Sequence, residues 1–169
     1  MRSHPGGGEQ TRRMLSLAEL SRGAAVLDMG AGAGETLALL RRLGYDARGI
    51  DLEPRAESVE PGNLLHAPFP DASFDAVLSQ CAFTVSGDPR GALREAARLL
   101  RPGGKLLLAD VFFEPPEPLL AASGFELLRA EDLSELWRDY ILEALWRDDC
   151  PIEIPRGKCR YWLLIGRKV

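Results

Sequence analysis

Hydrophobic and polar positions along this 169-residue chain fall into short runs whose period switches repeatedly between strand-like and helix-like. Glu9 to Leu20 puts Met14, Leu15, Leu17, Ala18 and Leu20 on one side of a helix that Gly23 ends. Ala24 to Leu27 is a compact apolar run suited to a buried strand, and Glu35 to Leu43 returns to helical spacing through Leu37, Leu39, Leu40 and Leu43. Tyr45 to Asp51 reads as a second strand ending in an acid. Leu52 to Pro61 carries Pro54 and Pro61 and leaves room for little more than a turn or two of helix.

Asp71 to Asp75 is a turn into a fourth strand over Ala76 to Ser79. Asp88-Pro89 opens a helix with an N-cap acid and a proline at the first helical position, and Leu93, Ala96, Ala97 and Leu100 form its buried stripe. Pro102-Gly103-Gly104 stops that helix and turns the chain into a fifth strand over Lys105 to Asp110. Beyond the stiff loop Glu114 to Pro118 follow a helical turn at Leu119 to Ser123 and a sixth strand at Gly124 to Leu128. An amphipathic helix from Asp132 to Trp146, a loop from Asp148 to Lys158 and a closing strand from Cys159 to Lys168 complete the pattern. Alternating strands and helices predict an α/β fold, a Rossmann-like doubly wound, mostly parallel sheet of about seven strands with helices on both faces.

The chemistry concentrates where the first strand breaks into Asp28-Met29-Gly30-Ala31-Gly32-Ala33-Gly34. Alternating glycines remove side chains where the backbone turns sharply and a ligand comes close. The dinucleotide pattern G-x-G-x-x-G, begun at Gly30, would need glycine at position 35, and Glu35 stands there. Asp28 would repel a pyrophosphate and attract a cation. S-adenosyl-L-methionine (SAM), with an ammonium, a sulfonium and no phosphate, suits this acidic entry better than a nicotinamide dinucleotide.

The segment Asp28 to Gly34 resembles the first motif of the class I SAM-dependent methyltransferases, small type-11-like domains among them. Gly62-Asn63-Leu64-Leu65-His66-Ala67-Pro68-Phe69-Pro70 is similar to their G-D-x-x-x-x-P-F segment, with Asn63 where an aspartate is more frequent. Phe74-Asp75 matches the pair before their fourth strand. Arg98 to Leu106 resembles their R-x-L-x-P-G-G-x-L segment. The likeness covers positions 24 to 110 well and the remainder in outline.

It implies SAM as cofactor, an antiparallel last strand, and a cofactor site drawn from Asp28, Gly30, Ala31, Gly32, Gly34, Asp51, Leu52, Asn63, Leu64 and Ser79. In that set Asp51 would accept from both ribose hydroxyls, Asn63 from the adenine amino group, and Leu64 would pack on the ring. The chain would then be one domain: a helical cap over 1–23, a cofactor-binding core over 24–110, and an acceptor side over 111–169. Methyl transfer needs no universal catalytic residue, so Cys81, Gln80 and His66 are candidates only, set near the end of the fourth strand or just after the adenine segment. Gln80, Cys81 and Phe83, roofed by Trp137 and Tyr140, would enclose a small acceptor. The alternatives are a SAM-binding or partner-binding module without turnover and, less favoured, a nucleotide-dependent oxidoreductase.

Composition narrows this further. A formal net charge of −4 gives no electrostatic footprint for nucleic acid. Three cysteines, Cys81, Cys150 and Cys159, make neither a disulfide framework nor a zinc pattern, so no metal is expected. Met1 to Gly8 lacks the apolar core of a signal peptide and no run approaches the length of a membrane span, which predicts a cytoplasmic protein; the small-molecule acceptor is expected from the compact pocket around Gln80, Cys81, Phe83, Trp137 and Tyr140. The pattern carries no reading of oligomeric state.

Overall fold

The computed structural model describes residues 4–146 and 157–169. Its elements run α1 (Gly7–Ala18), β1 (Ala25–Met29), α2 (Glu35–Arg42), β2 (Asp46–Asp51), β3 (Glu60–Pro61), β4 (Phe74–Gln80), α3 (Pro89–Leu99), β5 (Leu100–Phe112), α4 (Glu117–Ala122), β6 (Phe125–Asp132), α5 (Ser134–Trp146) and β7 (Arg160–Lys168). The strands form one sheet in the order β3-β2-β1-β4-β5-β7-β6. Pairing is parallel from β3 through β5, and β7 runs antiparallel to both β5 and β6. The expected α/β architecture, with its antiparallel last strand, is the one observed.

Strand periodicity divides the core into two layers. On one face Leu27, Met29, Val77, Leu106 and Leu108 pack with Leu93 and Ala96 of α3 and Leu120 of α4. On the other, Val26, Leu78, Leu107 and Ala109 pack with Met14 and Leu15 of α1 and Leu37 and Leu40 of α2. The central strands are apolar on both faces because helices cover both, as parallel sheets require. The order of strands reverses between β1 and β4, and the carboxyl ends of these two strands make the crevice where such folds take ligands.

Several boundaries differ from the sequence pattern. Helix α1 begins at Gly7 and ends at Ala18, because Glu19 takes a left-handed conformation (φ 51°) and leaves Leu20 outside. Leu100 is not part of the stripe of α3: its backbone is extended (φ −75°, ψ 140°), and it pairs with Phe74 as the first residue of β5. The register then jumps to Ala76–Lys105, so Arg101 to Gly104 form the turn that Pro102 and the glycines predict, inside a continuous strand. Strand β6 runs on to Asp132, whose Oδ1 accepts from the Ser134 amide at 3.0 Å and so starts α5 later than the apolar spacing implies. As expected, Leu52 to Val59 contains no helix, and β3 is reduced to two residues. The expected loop at Asp148 to Lys158 lies mostly outside the described residues. No helix among the described residues is long and apolar enough to cross a membrane.

Candidate functional site

The chain leaves β1 through a turn in which Gly30, Gly32 and Gly34 all adopt left-handed backbone, at φ 87°, 50° and 77°. The amides of Gly30 and Ala31 both donate to the Ile50 carbonyl at 2.9 Å, tying the turn to β2. A Cβ on Gly30 would stand 2.3 Å from the Ala82 Cβ, so the turns that follow β1 and β4 touch across the crevice. Glycine is needed there both for its backbone angle and for this close approach.

Two carboxylates border the turn. Asp51 ends β2 with both oxygens engaged: Oδ2 accepts from the Gly32 amide at 2.8 Å and Oδ1 from the Glu53 amide at 2.9 Å. Asp28 is 3% exposed, and no donor among the described residues reaches its Oδ2. Burial first, and the charge of Asp51 second, push the Asp28 carboxyl up to about 7. A buried anion without a partner is costly, and a cation placed beside it would remove the penalty. The shortened segment after β2 folds back on the turn. The Arg55 amide donates to the Gly32 carbonyl at 3.0 Å, and the Arg55 guanidinium lies beside the bare Gly32 Cα.

Beyond Asp51, Leu52 is 74% exposed, an apolar side chain left without cover at the rim of the crevice. Asn63 follows β3 at the same edge, and its Oδ1 accepts from the Leu65 amide at 2.8 Å, which fixes the amide orientation and leaves one lone pair for a ligand. Leu64 is half-buried against the core. The structure thus gathers Asp28, Gly30, Ala31, Gly32, Gly34, Asp51, Leu52, Asn63 and Leu64 along the carboxyl ends of β1, β2 and β3. Ser79 stands apart from them. It is fully buried and donates to the Met29 carbonyl at 2.8 Å, bonding β4 to β1 with no hydroxyl left for a ligand.

The residues considered for chemistry do not converge. His66 is exposed and lies toward Glu95 on α3. The Cys81 thiol, in a left-handed residue (φ 59°), donates to the Tyr161 hydroxyl at 3.5 Å. Burial pushes it up to about 12, so it is neither a thiolate nor a base near neutral pH. Gln80 is held by the N-terminal layer: its Oε1 accepts from Thr11 at 3.1 Å and Thr36 at 3.3 Å, and its Nε2 lies 3.1 Å from His4 Nδ1. Phe83 is core, 1% exposed, and Tyr140 is buried. Of the expected aromatic enclosure only Trp137 meets open space. It lines a cavity of about 880 Å³ with Phe112, Phe113, Cys159, Arg160 and Trp162. Cys81 and Cys159 are free thiols, and Cys150 lies outside the described residues. Among the described residues, no group of three or more His, Cys, Asp or Glu side chains is arranged to hold a metal.

Sequence reasoning overlooked three contributors. Asp110, fully buried, accepts from the amides of Phe83 (2.9 Å), Thr84 (3.2 Å) and Val111 (2.7 Å) and so fixes the turn after β4. An acid ending an apolar strand, as in the case of Asp51, was the signal available for it. His4 and Arg55 gave none, since both sit in segments whose polarity reads as loop.

Comparison with known proteins adds the family context. Residues 27–108 match a family described as a methyltransferase domain. The chain is 31% identical over 122 residues to a demethylmenaquinone methyltransferase of Tropheryma whipplei, covering 65% of this chain and 50% of that protein. It is 33% identical over 144 residues to an uncharacterised methyltransferase of Bacillus subtilis, covering 76% of this chain and 56% of that one. It spans about half the length of these curated relatives. The phosphoethanolamine N-methyltransferase 2 of Haemonchus contortus, solved with SAM, superposes with a TM-score of 0.77 at 17% identity, over 98% of this chain and 53% of that one. At that identity the superposition shows a shared fold.

Proposed function

We propose that the chain is a class I SAM-dependent methyltransferase that transfers the methyl group of SAM to a small-molecule acceptor, a reading supported by the methyltransferase-domain match over 27–108 and the methyltransferase relatives. The observation that carries this reading is the Asp28 carboxylate, buried without a donor to Oδ2 among the described residues, beside three left-handed glycines at the β1–β4 crevice. The ligand that completes such a site is cationic, free of phosphate and able to lie against bare Cα atoms. SAM meets these terms. Its ammonium answers Asp28, its ribose hydroxyls answer Asp51, and its adenine has the uncovered Leu52 to pack on, with Asn63 and Leu64 beyond.

SAM brings an already activated sulfonium methyl, ready for in-line displacement. The task of the protein is therefore to orient and to exclude water. The glycine turn and Asp51 fix one end of the site, and the turn after β4, pinned by Asp110, fixes the other. Cys81, protonated and bonded to Tyr161, fills space there. The acceptor side falls to residues 111–169, where Phe112, Phe113, Trp137 and Trp162 favour a compact, partly aromatic or apolar molecule. A net charge of −4 argues against a nucleic-acid acceptor, and free thiols at Cys81 and Cys159 suit a reducing cytoplasm.

Calorimetry with SAM, S-adenosylhomocysteine (SAH) and NAD tests the cofactor assignment. Binding of the first two and not the third is expected, and preferential binding of NAD would overturn it. Transfer of labelled methyl to a panel of small molecules then separates turnover from simple SAM binding.

A further inference from the structure

The cavity beside Trp137, of about 880 Å³, is built from the end of β5 and the segment after it, the start of β7 and α5. None of its described lining residues belongs to the turn after β4, residues 81–88. A second cavity, of about 510 Å³, does reach that turn, at Thr84. The two cavities share Phe112, Phe113, Glu114 and Pro115 in their walls, so the segment that leaves β5 divides them. Phe113 on that segment is 52% exposed, an aromatic ring left uncovered between two hollows. Thr84 is held in place: its amide donates to Asp110 at 3.2 Å and its hydroxyl to the Val111 carbonyl at 2.7 Å, which leaves the lone pairs of the hydroxyl oxygen for a ligand.

The SAM reading, on which this inference rests, sets the methyl group at the turn after β4. A compact body that fills the larger cavity therefore lies on the far side of Phe113 from the carbon it must receive. We propose that the acceptor is an elongated amphiphile that occupies both cavities at once, its aromatic or apolar body against Phe112, Trp137 and Trp162 and a polar arm crossing Phe113 to carry the reacting atom to Thr84. The walls match such a molecule. Rings in the larger cavity offer area to an apolar body. The smaller cavity lines the path of the arm with Val111, Pro118 and Leu119 and brings Arg90 and Glu114 to its polar end. Each methylene of the arm that covers Phe113 or Leu119 leaves water and adds affinity. Phe113 and Leu119 are in this role specificity-determining residues for the length of the acceptor and take no part in the displacement.

Calorimetry with phenylhexanol and benzyl alcohol, two aromatic alcohols that differ in the length of the arm, tests this, the weaker ligand being measured by displacement of the stronger. Wild type should bind one phenylhexanol per chain, about tenfold more tightly than benzyl alcohol. Leu119→Trp, which fills the smaller cavity, should cost phenylhexanol about tenfold and benzyl alcohol less than about twofold, while Trp137→Ala should weaken both by similar factors. Where Leu119→Trp lowers the melting temperature, Arg90→Trp, at an exposed position on the same wall, takes its place. SAH affinity should stay unchanged in all of these variants. Two phenylhexanols per chain would make the cavities separate sites. Equal affinity for the two alcohols, equal losses for both in Leu119→Trp, or binding of neither would leave the smaller cavity outside the acceptor site. Each of these results overturns the proposal, and SAH binding in the same samples leaves the SAM reading standing. A wild-type chain that binds neither SAM nor SAH overturns both.

Discussion

Replacing Asp28 by asparagine should make the protein more stable and its cofactor site worse. The carboxyl is raised from 3.8 to about 7, chiefly by burial. At about 1.4 kcal/mol for each tenfold change in proton affinity, ionising it in the folded state at about pH 8 costs on the order of 4 kcal/mol. An acid whose folded pKa exceeds its unfolded one binds its proton more tightly when native. This group therefore removes stability as pH rises from about 4 to about 7, and the loss is complete above that range. Asparagine has the same shape without the charge. Its own unmade hydrogen bonds take back about 1 to 2 kcal/mol, leaving a net gain of about 2 kcal/mol at pH 8 that shrinks toward pH 4. Urea unfolding of both proteins across that range measures it. The same change removes the proposed partner of the ammonium and should weaken SAM binding by about 1.5 to 3 kcal/mol. In the wild type, SAM affinity should rise with pH up to about 7, because binding expels the Asp28 proton, and calorimetry in buffers of different ionisation enthalpy reports that release. An Asp28→Asn variant that binds SAM normally, or that is less stable than wild type at pH 8, would show that this carboxylate is not an uncompensated charge awaiting a cation.

Asp51→Ala should weaken SAH binding by about 1.5 to 3 kcal/mol, since it removes the proposed ribose acceptor and frees the Gly32 amide; unchanged affinity in calorimetry would remove Asp51 from the site. Ser79→Ala should cost about 1 kcal/mol in urea unfolding through loss of the bond to Met29 and leave SAH affinity within about twofold. A tenfold loss of affinity would instead return Ser79 to the ligand site. Gly30→Ala should destabilise by about 2 to 4 kcal/mol, from left-handed strain and the 2.3 Å approach to Ala82, and a melting temperature equal to wild type would contradict that packing. Trp137→Ala should lower methyl transfer to an identified acceptor while leaving SAM affinity unchanged, because Trp137 lines the cavity and is absent from the glycine turn; normal turnover would place the acceptor elsewhere.

How much the sequence revealed depended on how local the signal was. The glycine turn, the acid ending β2 and the Pro-Gly-Gly turn into β5 were legible because each is a backbone requirement, written in residues that have few other reasons to stand together. The missing helix after β2 was legible from Pro54 and Pro61 for the same reason. Leu100 was misassigned because one apolar residue at a helix end satisfies a helical stripe and a buried strand equally, and only pairing with Phe74 decides between them. Ser79 and Phe83 were misplaced because strand-end position does not say which face a side chain takes. The pleat turns Ser79 inward to Met29, and Phe83 packs with Leu27 and Met29 in the core. His4 and Gln80, brought together across 76 positions, could not have been paired from spacing at all.

This difference between local and distant signals also explains why the two halves of the site are known so unequally. The cofactor half is built from one continuous β1–α2–β2 unit and the turn that follows it, so its residues sit close in sequence and their chemistry, anion, bare backbone and anion, selects one class of ligand. The acceptor half, in the proposed reading, would be assembled from the end of β5, the start of β7 and one face of α5, elements that meet only in the folded sheet. Its lining combines Phe112, Phe113, Trp137 and Trp162 with Glu114, Glu117, Lys158 and Arg160, which sets size and polarity but does not by itself choose a reacting atom. Displacement at a sulfonium asks little more of the protein than that. The fold can therefore keep the β1–α2–β2 unit constant while the far end of the sheet is rebuilt for another acceptor, and reading the acceptor from residues alone fails for a chemical reason: the reaction does not require a signature there.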